Sequence, residues 1–218
     1  EIQIQAQQHQ EAQETGNLPL QFLDDMASAQ PTPGGGSAAA LAGALAAALT
    51  QMVAGLTVGR KKYAEVQSKA EAILSEAVRL REQLTLAIAQ DAAAFEQLLA
   101  AYRDKELDTE SKAIAIETAT IGTGEVPLRV AHLSRDTAVL AQKIAEVGNI
   151  NAVTDAAAAV YLAQAAVQAA ALNVRINATG LNNQELANAW KSDIAALVKE
   201  TSEIVEQVAI VASERGGF

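Results

Sequence analysis

A chain of 218 residues with 50% hydrophobic and only 3% aromatic residues is long enough for one large domain, and its alanine-rich composition favours elements that approach closely. A net charge of −10 excludes a nucleic-acid backbone as the main partner, and the absence of cysteine excludes disulfides and thiolate zinc sites. The two histidines, His9 and His132, stand far apart, so no metal is expected, and the composition points to a reducing, cytoplasmic setting. Residues 1–17 are rich in Gln and Glu without an apolar stretch, which reads as a frayed tail or helical extension and not as a secretory signal. Residues 18–218 are expected to form a single helical domain.

Sustained polar and β-branched alternation is lacking, as are Asn-Gly or Asp-Gly hairpin turns, so the expected class is all-α, a bundle of long antiparallel helices. A short helix around Pro19–Ala29 leads into Pro31-Thr32-Pro33-Gly34-Gly35-Gly36-Ser37. The uncharged run Ala38–Val58 follows, and its alanines with Gly43 and Gly55 predict a central buried helix. The run is long enough to span a bilayer, but it lacks bulky apolar residues and an aromatic belt, so no membrane partner is expected. Gly59-Arg60-Lys61-Lys62 ends that helix. A long amphipathic helix is predicted from Tyr63 to Lys105 and another from Thr109 to about Ile121. Two glycines and a proline in Gly122-Thr123-Gly124-Glu125-Val126-Pro127 predict a break or kink, followed by helix to Val147. The loop Gly148–Asn151, a helix Val153–Asn177 and a terminal helix from about Asn182 to Ser213 complete the chain.

Gly34, Gly35, Gly36 and Ser37 before a helix make a candidate anion site, because flexible backbone N–H groups and the positive end of the helix dipole converge there. An ordinary tight loop with Ser37 as the N-cap is the competing reading. In the long helix Ile73, Ala77, Leu80, Leu84, Ala87, Asp91, Ala94 and Leu98 follow the four-and-three spacing of a buried stripe, which puts a carboxylate at a core position. Lost hydration there raises its pKa and suits Asp91 to proton transfer near neutrality, while a structural ion pair or cap is the alternative. On the helix from Val153, Asp155, Asn173 and Asn177 share one face, positioned either to hydrogen-bond a ligand or to satisfy a neighbouring helix end, and Asn149 adds an amide in the preceding loop. Arg60 and Lys61 could hold the carboxylates of an acidic ligand or act as a solvated C-terminal cap.

In chain order, Phe22, Ala27-Ser28, Pro33-Gly34-Gly35-Gly36-Ser37, Met52-Val53 with Leu56-Thr57, Gly59-Arg60-Lys61-Lys62-Tyr63, Asp91 with Phe95, Val126-Pro127-Leu128, Gly148-Asn149 with Asp155, and Asn173-Val174 with Ile176-Asn177 form an ordered set. In these the chain resembles the cyclodeaminase/cyclohydrolase family of folate metabolism. The resemblance implies an all-helical homodimer with a folate pocket near the dimer contact and no cofactor beyond the tetrahydrofolate substrate. It implies hydrolysis of 5,10-methenyltetrahydrofolate to 10-formyltetrahydrofolate, or ring closure of 5-formiminotetrahydrofolate with loss of ammonia. Asp91 would be the family's acid or base, assisted by Asp155. Asn149, Asn173 and Asn177 would orient the pterin or the tetrahedral intermediate, Gly34–Ser37 would donate N–H groups, and Arg60 and Lys61 would hold the glutamate tail. The competing class is a non-enzymatic helical scaffold that dimerises through its alanine-rich faces.

Overall fold

A computed structural model describes Leu20–Phe218; the expectation for residues 1–17 lies outside the described residues. The chain divides after Pro33 into two compact units. In the first, α1 (Leu20–Ala27) is a two-turn helix with no buried residue, steadied by Gln21 Nε2 donating to Asp25 Oδ1 at 2.8 Å. All the long helices belong to the second: α2 (Gly35–Thr57), α3 (Gln67–Arg103), α4 (Thr109–Val147), α5 (Val153–Thr179) and α6 (Gln184–Gly216).

Within this unit α2 packs against α3, α4 and α5, and α6 lies across α4 and α5. Close approach depends on small residues: a Cβ on Gly43 would stand 2.6 Å from Ser134 Oγ and 2.9 Å from a Leu84 methyl. Leu80, Leu84, Val130, Val167, Val174, Trp190 and Ile194 fill one part of the core; Val53, Ile73, Ile144, Val160, Ile204 and Val208 fill the other. Buried threonines stay satisfied because their hydroxyls bond back one turn, as in Thr50 to Ala46 O at 2.9 Å and Thr201 to Leu197 O at 2.9 Å.

The expected break in α4 is absent, since one helix runs from Thr109 to Val147 through all three suspect residues. Pro127 cannot supply the N–H that Thr123 O would normally accept, and Asn177 Nδ2 on α5 donates to that oxygen at 2.8 Å instead. Gly124 is required by the Trp190 ring, which lies 2.1 Å from where a Cβ would stand. The long helix α3 starts later than Tyr63 because a 3-10 stretch, Lys61–Val66, intervenes and Tyr63 leaves helical geometry within it. Its ring is used elsewhere: the Tyr63 hydroxyl accepts the N–H of Ile150 at 2.9 Å. Gly59, with φ at 76°, makes the left-handed turn after α2, a geometry that favours glycine.

α2, and α5 with its leading turn, are long and apolar enough to cross a membrane by length and composition, and half of each is buried inside the fold. The outward face of α2 carries Ala38, Leu41, Leu45, Ala48, Met52 and Gly55 at three-and-four spacing, with Leu45 50% and Met52 41% exposed. On α5, Leu172 and Ile176 are exposed as well.

Candidate active site

The first turn of α2 is built from Gly35, Gly36 and Ser37, with Gly34 as N-cap. Ser37 is therefore not the cap: it is the third helical residue, fully buried, and its hydroxyl leaves its own helix for α3. Ser37 Oγ lies 3.0 Å from Asp91 Oδ2 and 3.1 Å from the main-chain oxygen of Ile88. The Ser37 backbone N–H, one of the orphan donors at the start of α2, also favours the charged form of the Asp91 carboxyl.

Asp91 belongs to the stripe expected for α3, in which Ile73, Ala77, Leu80, Leu84, Ala87 and Ala94 are buried and Asp91 is half-buried. Gly36 makes room for it: a Cβ there would stand 2.0 Å from Asp91 Oδ1 and 2.5 Å from Cγ. Burial pushes the Asp91 carboxyl above its ordinary range, and the two Ser37 hydrogen bonds pull the other way without cancelling the effect. The arrangement fits a carboxyl that exchanges protons under mild conditions.

Asn173 stands at the same end of α2, its Nδ2 3.5 Å from a Cβ built on Gly35, and donates to Ala169 O of its own helix at 3.0 Å. Asn177, one turn on, spends its amide on Thr123 O. The remaining expected residues gather at the opposite end. Asn149 donates from its backbone N–H to Thr57 Oγ1 at 2.9 Å and from Nδ2 to Leu56 O at 3.1 Å, and its Oδ1 accepts the N–H of Asn151. It thereby closes the C-terminus of α2 and caps the 3-10 turn Ile150–Ala152 that leads into α5. Arg60 and Lys61 line a shallow cavity of about 290 Å³ with Gly59, Ala64 and Gln67. Asp155 lies in the first turn of α5, eighteen residues or about 27 Å before Asn173 along the helix.

Thus the structure joins Gly34–Ser37, Asp91 and Asn173 with Asn177 nearby, and separates Arg60, Lys61, Asn149 and Asp155 from them by the length of α2, roughly 30 Å. Azimuth around a helix is readable from spacing, but position along it only matters once the neighbours are placed. The Ser37–Asp91 and Asn177–Thr123 pairs, each 54 residues apart in sequence, left no local signal. Among the described residues no three His, Asp or Glu side chains cluster as metal ligands.

An all-helical fold that presses one carboxyl into a glycine-lined helix N-terminus defines a scaffold for proton transfer. A model of the formiminotransferase-cyclodeaminase family matches residues 20–196, and the chain belongs to that family. It is 39% identical to the methenyltetrahydrofolate cyclohydrolase of Methylorubrum extorquens over 190 residues, 86% of this chain and 91% of that protein. The formimidoyltransferase-cyclodeaminase of Rattus norvegicus is 26% identical over 182 residues, and the match covers 82% of this chain but 34% of that longer protein. The crystal structure of formiminotetrahydrofolate cyclodeaminase from Thermotoga maritima superposes with a TM-score of 0.76 at 28% identity, covering 93% of this chain and 98% of that one.

Proposed function

We propose that this chain hydrolyses 5,10-methenyltetrahydrofolate to 10-formyltetrahydrofolate, with Asp91 as the proton-transfer group. The observation that carries this reading is the Asp91 carboxyl held against Gly36 and Ser37 with its pKa raised by burial. Similarity to a cyclohydrolase along nearly the whole of both chains supports this direction. In the reaction, water attacks the cationic carbon between N5 and N10 and gives a proton to the Asp91 carboxylate. Asp91 returns that proton to N5 as the C–N5 bond breaks, and the hydroxyl proton of the intermediate leaves to solvent as the formyl C=O forms. Cyclodeamination of 5-formiminotetrahydrofolate is the second reading, supported by the likeness to the Thermotoga maritima cyclodeaminase. There a protonated Asp91 donates to the departing ammonia after N10 attacks the formimino carbon.

The working unit on this reading is a homodimer. The uncharged outer seam of α2, with Leu45 and Met52 exposed on it, suits a second copy of itself. A two-fold axis near the middle of the seam sets the start of α2 in one chain opposite its end in the other, where Arg60 follows the turn at Gly59. Such packing reunites the two groups of residues that lie at opposite ends of α2 in one chain. Arg60 and Lys61 then meet the acidic end of a folate whose reacting carbon lies at Asp91 of the other chain.

The test follows loss of the methenyl absorbance of 5,10-methenyltetrahydrofolate with the native chain, the Asp91→Asn variant and a protein-free control. Accelerated decay with the native chain alone supports the hydrolase. No acceleration together with turnover of the formimino substrate moves the assignment to the cyclodeaminase, and inactivity in both assays leaves the helical scaffold as the better reading.

A further inference from the structure

Ser37 offers one hydroxyl hydrogen to two acceptors, Asp91 Oδ2 at 3.0 Å and Ile88 O at 3.1 Å. A single O–H cannot serve both at full strength. The stronger acceptor changes with the state of Asp91: an ionised carboxylate outcompetes a peptide oxygen, whereas a neutral carboxyl does not. We propose that Ser37 is a positioning residue whose hydroxyl follows the proton on Asp91, turning to Oδ2 when the carboxyl is ionised and to Ile88 O when it is neutral. Oδ1, the oxygen that the Ser37 hydroxyl does not bond, is left to exchange the proton.

Neither protonation state then leaves the Ser37 hydroxyl, which is fully buried, without an acceptor. Ile88 precedes Asp91 by three residues on α3, so both acceptors sit on one rigid helix and the hydroxyl moves between them by rotation about one bond. The surroundings add little competing charge. Gly35–Thr57 of α2 contains no ionisable side chain, and the α3 residues nearest Asp91 at helical spacing are Ala87, Ile88, Ala94 and Phe95. α5 offers Asn173 at this end, with Arg175 exposed beyond it, and Arg129 of α4 is engaged by Gln90.

This inference deepens the reading of Asp91 as the proton-transfer group, and its test does not need turnover. The full chain, labelled with carbon-13 at aspartate side-chain carboxyls and isoleucine carbonyls, is titrated by NMR. The Ile88 carbonyl resonance is expected to shift with the same midpoint as the Asp91 carboxyl. Replacing Ser37→Ala should abolish the Ile88 response and move the Asp91 midpoint to higher pH, because a donor to the ionised form is lost; Asp91→Asn should also silence Ile88. An Ile88 signal that stays fixed while native Asp91 titrates overturns the proposal, a result the native protein supplies even if the Ser37 variant does not fold. So does an Ile88 response that persists in Ser37→Ala. Absence of folate turnover with the NMR coupling intact would sink the proposed reaction and leave the hydroxyl switch standing.

Discussion

Replacing Gly36→Ala moves the Asp91 carboxyl by a distance the structure sets. The new Cβ would stand 2.0 Å from Asp91 Oδ1, 2.5 Å from Cγ and 2.7 Å from Oδ2, where real contacts do not fall below 3.0 Å. The Asp91 head group must retreat by about 1 Å, since the backbone on either side is helical and held by core packing. The effect on stability is a contest: alanine gains roughly 1 kcal/mol of helix propensity over glycine, and overpacking costs about 1–3 kcal/mol. The net loss is about 2 kcal/mol or less, which a folded domain tolerates. The effect on chemistry is larger, because a misplacement of ~1 Å at a reacting group costs on the order of 10²-fold in rate. The expected result is a native-like helical circular dichroism spectrum, a modest fall in Tm and a kcat about 100-fold lower in the methenyl absorbance assay. Gly122→Ala, where an added Cβ meets nothing within 4 Å, controls for the glycine change itself and should keep full activity. A Gly36→Ala protein with kcat within about twofold of native would refute the assignment of the chemistry to Asp91 in this position.

Three further outcomes follow from named contacts. Asn177→Ala should cost about 1–3 kcal/mol in urea unfolding by stranding Thr123 O, and much of that cost should vanish in a Pro127→Ala background, where residue 127 regains the N–H; additive effects would show that the two do not share that oxygen. The raised pKa of Asp91 means the native state holds this proton more tightly than the unfolded chain, so native stability falls as pH rises from the unfolded value near 3.8 through the folded midpoint. Asp91→Asn should therefore gain stability over the native protein above that window and lose the advantage below it, whereas a difference that ignores pH would argue against burial as the cause. Mixing inactive Asp91→Asn chains with inactive Arg60→Ala/Lys61→Ala chains should restore about a quarter of native activity, because half of randomly reassorted dimers carry one complete site of two; no recovery on mixing, with exchange of chains verified, would rule out a site shared between copies.

The helices were legible because their cause is local: a 3.6-residue period, the glycines that end segments, such as Gly59, and the lack of strand patterning. Asp91 was legible for the same reason, as a charged residue in an apolar register. Ser37 as the supposed N-cap shows where local reasoning stopped, since its residue type suits a cap but a carboxyl from another helix makes a better partner for its hydroxyl. The continuity of α4 was hidden in the same way, because the donor that replaces the missing N–H of Pro127 sits on α5. A shared helix face was readable for Asp155 and Asn173, and their eighteen-residue spacing already sets them about 27 Å apart along α5. Which of them meets the Gly34–Ser37 turn depends on how α2 and α5 pack.

Asp91 draws its usefulness from forces that oppose each other. Burial alone favours a permanently neutral carboxyl, an acid that gives up its proton reluctantly. The α2 N-terminus and the Ser37 donors alone favour a permanently ionised one, a base too weak to take a proton from water. Burial is the larger influence and raises the Asp91 pKa, and the Ser37 donors restrain that rise. A group balanced in this way can accept a proton from water in the hydrolase direction and donate one to departing ammonia in the deaminase direction. On this reading the two activities borne by relatives of this chain need no different catalytic group. The difference between them must then lie in which leaving nitrogen and which nucleophile the rest of the pocket holds against Asp91, so exchanging pocket residues other than Gly36, Ser37 and Asp91 is the change expected to shift one activity toward the other.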